Sequence, residues 1–176
     1  MAHQEMIIAW LNDAYGMEQS ITHVLENHAK DTKDHPELHR GIQQHLEATK
    51  RHAEMVKAEI ERLGGKTSAV KSAMSHVMGM GQSVSTGMAK DELVKNALAD
   101  YSTEHMEIAS YRALQAAAQE IGDQQLAATC ETIIADEMAM AQFLEQNLPL
   151  VVSMTLREQM DAHMDNPMSG EMGAQP

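Results

Sequence analysis

The chain has 176 residues, a net charge of −13, one cysteine and only 3% aromatic residues. That length suits one domain with a real core. The negative charge argues against nucleic acid or an anionic membrane surface as partner. A single Cys130 leaves no internal disulfide and no thiolate metal site within one chain. No apolar run is long enough to span a membrane, and residues 1–5 lack the basic and apolar regions of a secretory signal. The reading is therefore cytoplasmic, with no nucleic acid and no membrane partner.

Ala, Leu, Met, Glu and Gln dominate, which favours helix over sheet. The first predicted helix runs from about His3 to Lys30, with a seam of Leu11, Ala14, Glu18, Ile21, Leu25 and His28 at helical spacing. Pro36 suits the first position of a second helix that runs to about Leu63 and closes at Gly64-Gly65. Its seam is Ile42, His45, Leu46, Thr49, Ala53, Val56 and Ile60. Residues 66–90, with Met74, Met78, Met80 and Met88 among glycines and serines, read as a short helix over 68–78 and a flexible crossover. A third helix starts near Lys90 or Asp91 and ends at Gly122, with Leu93, Ala97, Tyr101, Glu104, Ile108, Tyr111 and Gln115 inward. A fourth runs from Asp123 to about Asn147 through Leu126, Cys130, Ile133, Glu137, Ala141 and Leu144. Pro149 then begins a shorter fifth helix reaching about His163.

Two helix hairpins joined by a long crossover make an all-α, ferritin-like four-helix bundle. The expected division is a helical domain over 1–164 and a flexible Met-rich tail over 165–176. In that tail region Met160, Met164, Met168 and Met172 recur every four residues beside His163. Thioether and imidazole suit Cu(I), but Pro167 and Gly170 interrupt any helical face, so a low-complexity tail is the plainer reading. The methionines also suit reversible scavenging of oxidants.

Glu18, Glu104 and Glu137 lie inside the apolar seams of three different helices, and Glu107 sits one turn from Glu104. A buried, unpaired carboxylate costs several kcal/mol, and several in one core repel each other. A pair of divalent metal ions removes that conflict. Counted from the two hairpin turns, all four acids fall at one level. His45 and His52 bracket that level on the second helix, whereas Glu47 has the height but the outward face. The expected ligands are Glu18, His45, His52, Glu104, Glu107 and Glu137. Oxygen ligands with some imidazole suit two ions of iron, or else manganese, which can bind and activate oxygen or peroxide. Tyr15, Tyr101 and Tyr111 are placed to supply a proton or electron. A buried polar network of these tyrosines, the acids and water is the bland alternative. His105 is expected beside the site or at a helix contact; His3, His23, His28, His35, His39 and His76 are expected at the surface or in turns.

The segments WLNDAYGMEQS, QQHLEAT, DYSTEHMEIASYRAL and CETIIADEMAMAQFL, within about residues 5–150, resemble the ferritin-like YciE/YciF family, distantly similar to rubrerythrins. The resemblance implies a ferritin-like bundle, often dimeric or a higher homo-oligomer, associated with bacterial stress responses. It carries the rubrerythrin-like ligand pattern onto Glu18, Glu104, Glu107 and Glu137. The chain departs from that pattern in three places. It has no Glu-x-x-His pair, Met140 stands where a histidine follows Glu137, and Ala48 stands where the family tends to have a second acid. The rubrerythrin electron-transfer domain, which needs more cysteines, is missing, so any redox cycle draws electrons from elsewhere. Three functions are compatible: a di-metal oxidoreductase or ferroxidase, a metal store without turnover, and a metal-free structural stress protein.

Overall fold

In a computed structural model the structure describes residues 2–68 and 91–165. They form four helices: α1 (Ala2–Asp31), α2 (Pro36–Arg62), α3 (Glu92–Glu120) and α4 (Gln124–Asp165). There is no strand among the described residues. The short helix and crossover expected over 66–90 fall, from residue 69 on, outside the described residues, as does the tail beyond Asp165. Among the described residues, no helix is long and apolar enough to cross a membrane.

Turn chemistry sets the two hairpins. Pro36 occupies the first turn of α2, where a missing N–H costs nothing. Between α3 and α4, Gly122 takes a φ of 74°, open to glycine, and the Asp123 carboxylate accepts from the Leu126 N–H at 3.1 Å to cap α4. α1 packs on α2 and α3 on α4; the hairpins join through α2 on α4 and α1 on α3. The buried apolar residues follow the seams, with Leu11, Leu25, Val56, Ile60, Leu126 and Ile133 at 1% exposure or less.

The far end of the bundle is tied by a buried acid. Glu59 accepts from Arg62 Nε at 2.7 Å, Gln125 at 3.1 Å and Thr129 at 3.0 Å, and Arg62 also donates to Asp123 at 2.6 Å. This links the end of α2 to the start of α4. It fixes the axial register in which carboxylates of different helices meet further along.

The break expected at Pro149 does not occur: α4 is one helix of 42 residues with Pro149 inside it. A proline removes one helical hydrogen bond and strains the turn before it. Here Val151 and Thr155, two and six residues later, are still buried against the bundle, and His35 lies 3.7 Å from Glu158. Tertiary packing of the next turns outweighs the lost bond. Met160 and Met164 lie on this helix and are strongly exposed.

One glycine is set by packing between helices. A Cβ on Gly41 of α2 would run into the ring of Phe143 of α4. Gly41→Ala is expected to cost about 1–3 kcal/mol, the usual range for overpacking, and to lower the melting temperature in calorimetry. An unchanged melt would mean that the Phe143 ring swings aside freely.

Candidate metal centre

Each helix delivers side chains to one level of the core. α1 supplies Glu18, α2 His45 and His52, α3 Glu104 and Glu107, and α4 Glu137. All six are at most 5% exposed, and Glu18, Glu107 and Glu137 are fully enclosed. They form two groups. His45, Glu104, Glu107 and Glu137 make one; Glu18, His52 and Glu137 make the other. Within each group, one ligand atom per residue lies within 4.8 Å of the rest, and Glu137 belongs to both. A carboxylate shared in this way can bridge two ions. The six residues expected from sequence to share a level therefore do so.

The donor atoms converge on one another at ion-pair distances. His52 Nδ1 lies 2.8 Å from Glu137 Oε1 and 4.0 Å from Glu18 Oε2, and His45 Nε2 lies 3.1 Å from Glu104 Oε1 and 3.4 Å from Glu137 Oε2. Yet both of those ring nitrogens lack hydrogen-bond geometry, as do Glu18 Oε2, Glu104 Oε2 and both oxygens of Glu107 and of Glu137. Buried polar atoms are normally satisfied. Eight such buried donors and acceptors, from residues grouped within reach of a single ion, make a donor set that fits a cation.

Electrostatics agree. Burial, then the neighbouring Glu137 charge, pushes Glu18 from 4.5 to about 8. Burial and Glu137 hold Glu104 well above the carboxylate range, and burial with Glu18 and Glu137 does the same for Glu107. Burial lowers His45. For His52 burial acts in the same sense, but the Glu137 and Glu18 carboxylates outweigh it and the ring is raised. Four ionised carboxylates carry a charge of −4, which two divalent ions balance.

Two neighbours complete the site. Tyr111, fully buried on α3, donates its hydroxyl to Glu18 Oε1, and burial and the Glu18 charge keep that phenol protonated far above its ordinary range. On the outer side of His52, Nε2 lies 3.1 Å from Asp136 Oδ2. A carboxylate on that nitrogen can hold a proton there and leave the Nδ1 lone pair free to face inward, the arrangement that orients metal-binding histidines. Asp136 was not legible in the apolar pattern, because it is half-exposed and reaches in from the rim. Its one sequence signal is that it precedes Glu137.

Of the three tyrosines, only Tyr111 reaches the centre. Tyr15 is partly buried beside the core, and Tyr101 stacks edge-on against His105, an exposed residue, at 4.7 Å. Glu47 is ruled out as a ligand: its side chain is 65% exposed and pairs with Lys50 at 3.0 Å. Ala48 is buried at the level of the centre and offers no donor. The surface expectation for His28 is wrong. It is 6% exposed and its Nδ1 lies 2.8 and 2.9 Å from the two oxygens of Asp100. Cys130 is buried, which pushes its thiol to about 12, so it is inert.

Residues 2–157 match the DUF892 family, described as a domain of unknown function. The chain belongs to that family. A crystal structure of a protein from Xanthomonas campestris pv. campestris is 34% identical; the match covers 90% of this chain and 99% of that one, with a TM-score of 0.78. The E. coli stress protein YciF is 25% identical over 86% of this chain and 97% of its own, with a TM-score of 0.75. The bacterioferritin of Desulfovibrio desulfuricans, whose structure was solved with its diiron site in different catalytic states, shares the fold. Its TM-score is 0.73 over 99% of this chain and 96% of that one, at 22% identity. The DUF892 chain is thus a ferritin-like four-helix bundle, as its sequence resemblance implies.

Proposed function

We propose that this DUF892 protein binds two divalent metal ions, iron or else manganese, and reacts with oxygen or hydrogen peroxide as an oxidoreductase or ferroxidase. The observation that carries the reading is the set of orphaned buried donors from four helices, divided into two groups that share Glu137. His45, Glu104 and Glu107 would hold one ion, Glu18 and His52 the other, with Glu137 between them. Imidazole with carboxylate oxygen is a donor set suited to iron and manganese. A bound pair would supply electrons and Lewis acidity to a small oxidant.

The chain's own contribution is to hold these groups apart from water and in register. Asp136 orients His52. Tyr111 keeps Glu18 Oε1 occupied by a hydroxyl proton, so Glu18 presents Oε2 inward. Burial keeps that phenolic proton on Tyr111 unless Glu18 takes it. Tyr15 and Tyr101 would serve only as more distant redox groups. A cytoplasmic location, self-association as a homodimer or larger homo-oligomer, and a stress role like that in the name of YciF belong to the same proposal.

A second reading is a metal-free scaffold. It is favoured by the short approaches of His45 to Glu104 and of His52 to Glu137, which two protonated imidazoles could turn into ion pairs. Glu107 argues against it, since neither of its oxygens has a partner.

Elemental analysis separates the two. Protein from iron- and manganese-supplemented cells is expected to carry about two ions per chain, and the Glu104→Ala, Glu137→Ala double variant none. No metal in the parent protein, even after anaerobic Fe(II) loading, would establish the scaffold instead.

A further inference from the structure

The metal centre is closed along the bundle axis. About one turn away lie Val56 and Ile133 on one side and Ile21 and Ala141 on the other, all at most 5% exposed. Asp100, near the second level, is held by His28 through both carboxylate oxygens. Apolar packing bars an ion, because carrying a charge through it costs several kcal/mol or more. A cation that reaches the buried acids therefore comes in from the side, between two helices.

One side carries a polar link to solvent. His52 of α2 has Nδ1 2.8 Å from Glu137 Oε1 and Nε2 3.1 Å from Asp136 Oδ2. The His52 side chain is 1% exposed, that of Asp136 44%. A single imidazole ring thus separates the centre from the surface here. Among the described residues, the other five side chains of the centre make polar contacts only with one another, with His52 or with Tyr111. Arg51 stands at the same rim, its Nη2 3.9 Å from Asp136 Oδ2. Both contacts of Asp136 run through that one oxygen. An acceptor that only oriented His52 could be a neutral backbone carbonyl or a water. Asp136 instead sets a carboxylate at the surface, directly outside the centre.

A carboxylate in that place does what the approach of a cation requires. It draws a divalent ion to the rim and replaces part of its water shell. His52 can then turn about its side-chain bonds and offer an imidazole nitrogen, with Glu137 and Glu18 next inward. The Arg51 guanidinium opposes the attraction and sets its strength. We propose that the contact between Asp136 and His52, at the seam of α2 and α4, is the entrance by which a divalent cation reaches the metal centre. Asp136 is its first ligand, and His52 is the side chain that passes it inward. Once the ion is inside, the same carboxylate orients the ring. This rests on the metal reading above.

The test is the rate at which metal-depleted full-length protein takes up Co(II), and releases it to excess chelator. Both are followed by the visible ligand-field absorbance of bound Co(II) in a stopped-flow instrument. Arg51→Glu is expected to raise the uptake rate constant about tenfold, the low end of what electrostatic focusing contributes to association. Asp136→Asn is expected to lower it about tenfold, while its amide oxygen can still accept from His52 Nε2. Arg112→Glu makes the same change of net charge as Arg51→Glu at the seam of α3 and α4, where Arg112 lies 3.9 Å from Met138 Sδ. It is expected to leave uptake near the parent's rate. None of the three residues is buried, so each variant should fold. Equal uptake in the parent, Arg51→Glu and Asp136→Asn would overturn the entrance. So would a rise in Arg112→Glu as large as in Arg51→Glu, which marks attraction by net charge alone. Parental uptake with faster release in Asp136→Asn would also overturn it, and leave Asp136 an orienting residue only. No cobalt binding by the parent protein would instead refute the metal centre itself, a result distinct from equal rates.

Discussion

Stripped of metal with a chelator, the protein is expected to melt at a lower temperature as the pH rises from about 6 to about 9, and Mn(II) is expected to remove most of that slope. The sign follows from three buried acids. A carboxyl whose folded pKa is raised stabilises the fold fully below its unfolded value, and that contribution is lost as pH rises through the folded value. For Glu18 those limits are 4.5 and about 8, a difference worth about 5 kcal/mol. Glu104 and Glu107 are shifted in the same direction by burial and their neighbours. His28 and His52, both raised, also lose their contribution as pH rises; His45, lowered by burial, acts in the opposite sense and weakens the fold only toward acid. Metal replaces the protons, so its affinity grows over the same window. A chain of charge −13 also repels itself more at high pH, but salt screens that and leaves buried charges alone. The measurement is therefore calorimetry at about 0.5 M salt, with and without Mn(II). A flat or rising melting temperature in chelator would show that the acids are not buried as ionisable groups.

The bundle was legible because its signal is periodic. Helical spacing placed Leu11, Ile21, Ile60, Leu126 and Ile133 inward, and the same spacing carried Glu18, Glu104 and Glu137 with them. A charged residue inside an apolar seam is itself the anomaly, so the site was readable where the core was. Reading failed where position depends on something other than period. His28 does fall in the α1 seam, but only its partner Asp100, 72 residues away, explains why a histidine can be buried there. Asp136 acts from the rim. Pro149 reads as a break because local propensity is against it; only the burial of Val151 and Thr155 shows why the helix continues. The two histidines were placed by counting turns, which gives height and face but not which ring nitrogen points inward. For His52 that choice follows from Asp136 on α4, whose carboxylate meets Nε2.

Two buried glutamates should respond to the same substitution with opposite signs. Glu59 is 3% exposed, but both its oxygens are used, by Arg62, Gln125 and Thr129. Glu59→Leu leaves Arg62 half-paired and two donors unmet, and is expected to cost about 3–5 kcal/mol. Glu107 is 0% exposed and neither oxygen has a partner. In the metal-free protein, Glu107→Leu replaces an unsatisfied polar group with an apolar one of similar volume. It is expected to stabilise by about 1–4 kcal/mol, raising the melting temperature by about 2–4 °C per kcal/mol in a chain of this size. The same variant should no longer gain stability from Mn(II), because it has lost a ligand. Thermal melts of parent and both variants, each in chelator and in Mn(II), read all of this together. A Glu107→Leu protein that melts well below the parent in chelator would mean that Glu107 holds the core together without metal. One that still gains the parent's full shift in Mn(II) would place the ion elsewhere. Stability sacrificed at Glu107 and kept at Glu59 is the physical difference between a residue retained to bind something and one retained to hold two helices in register.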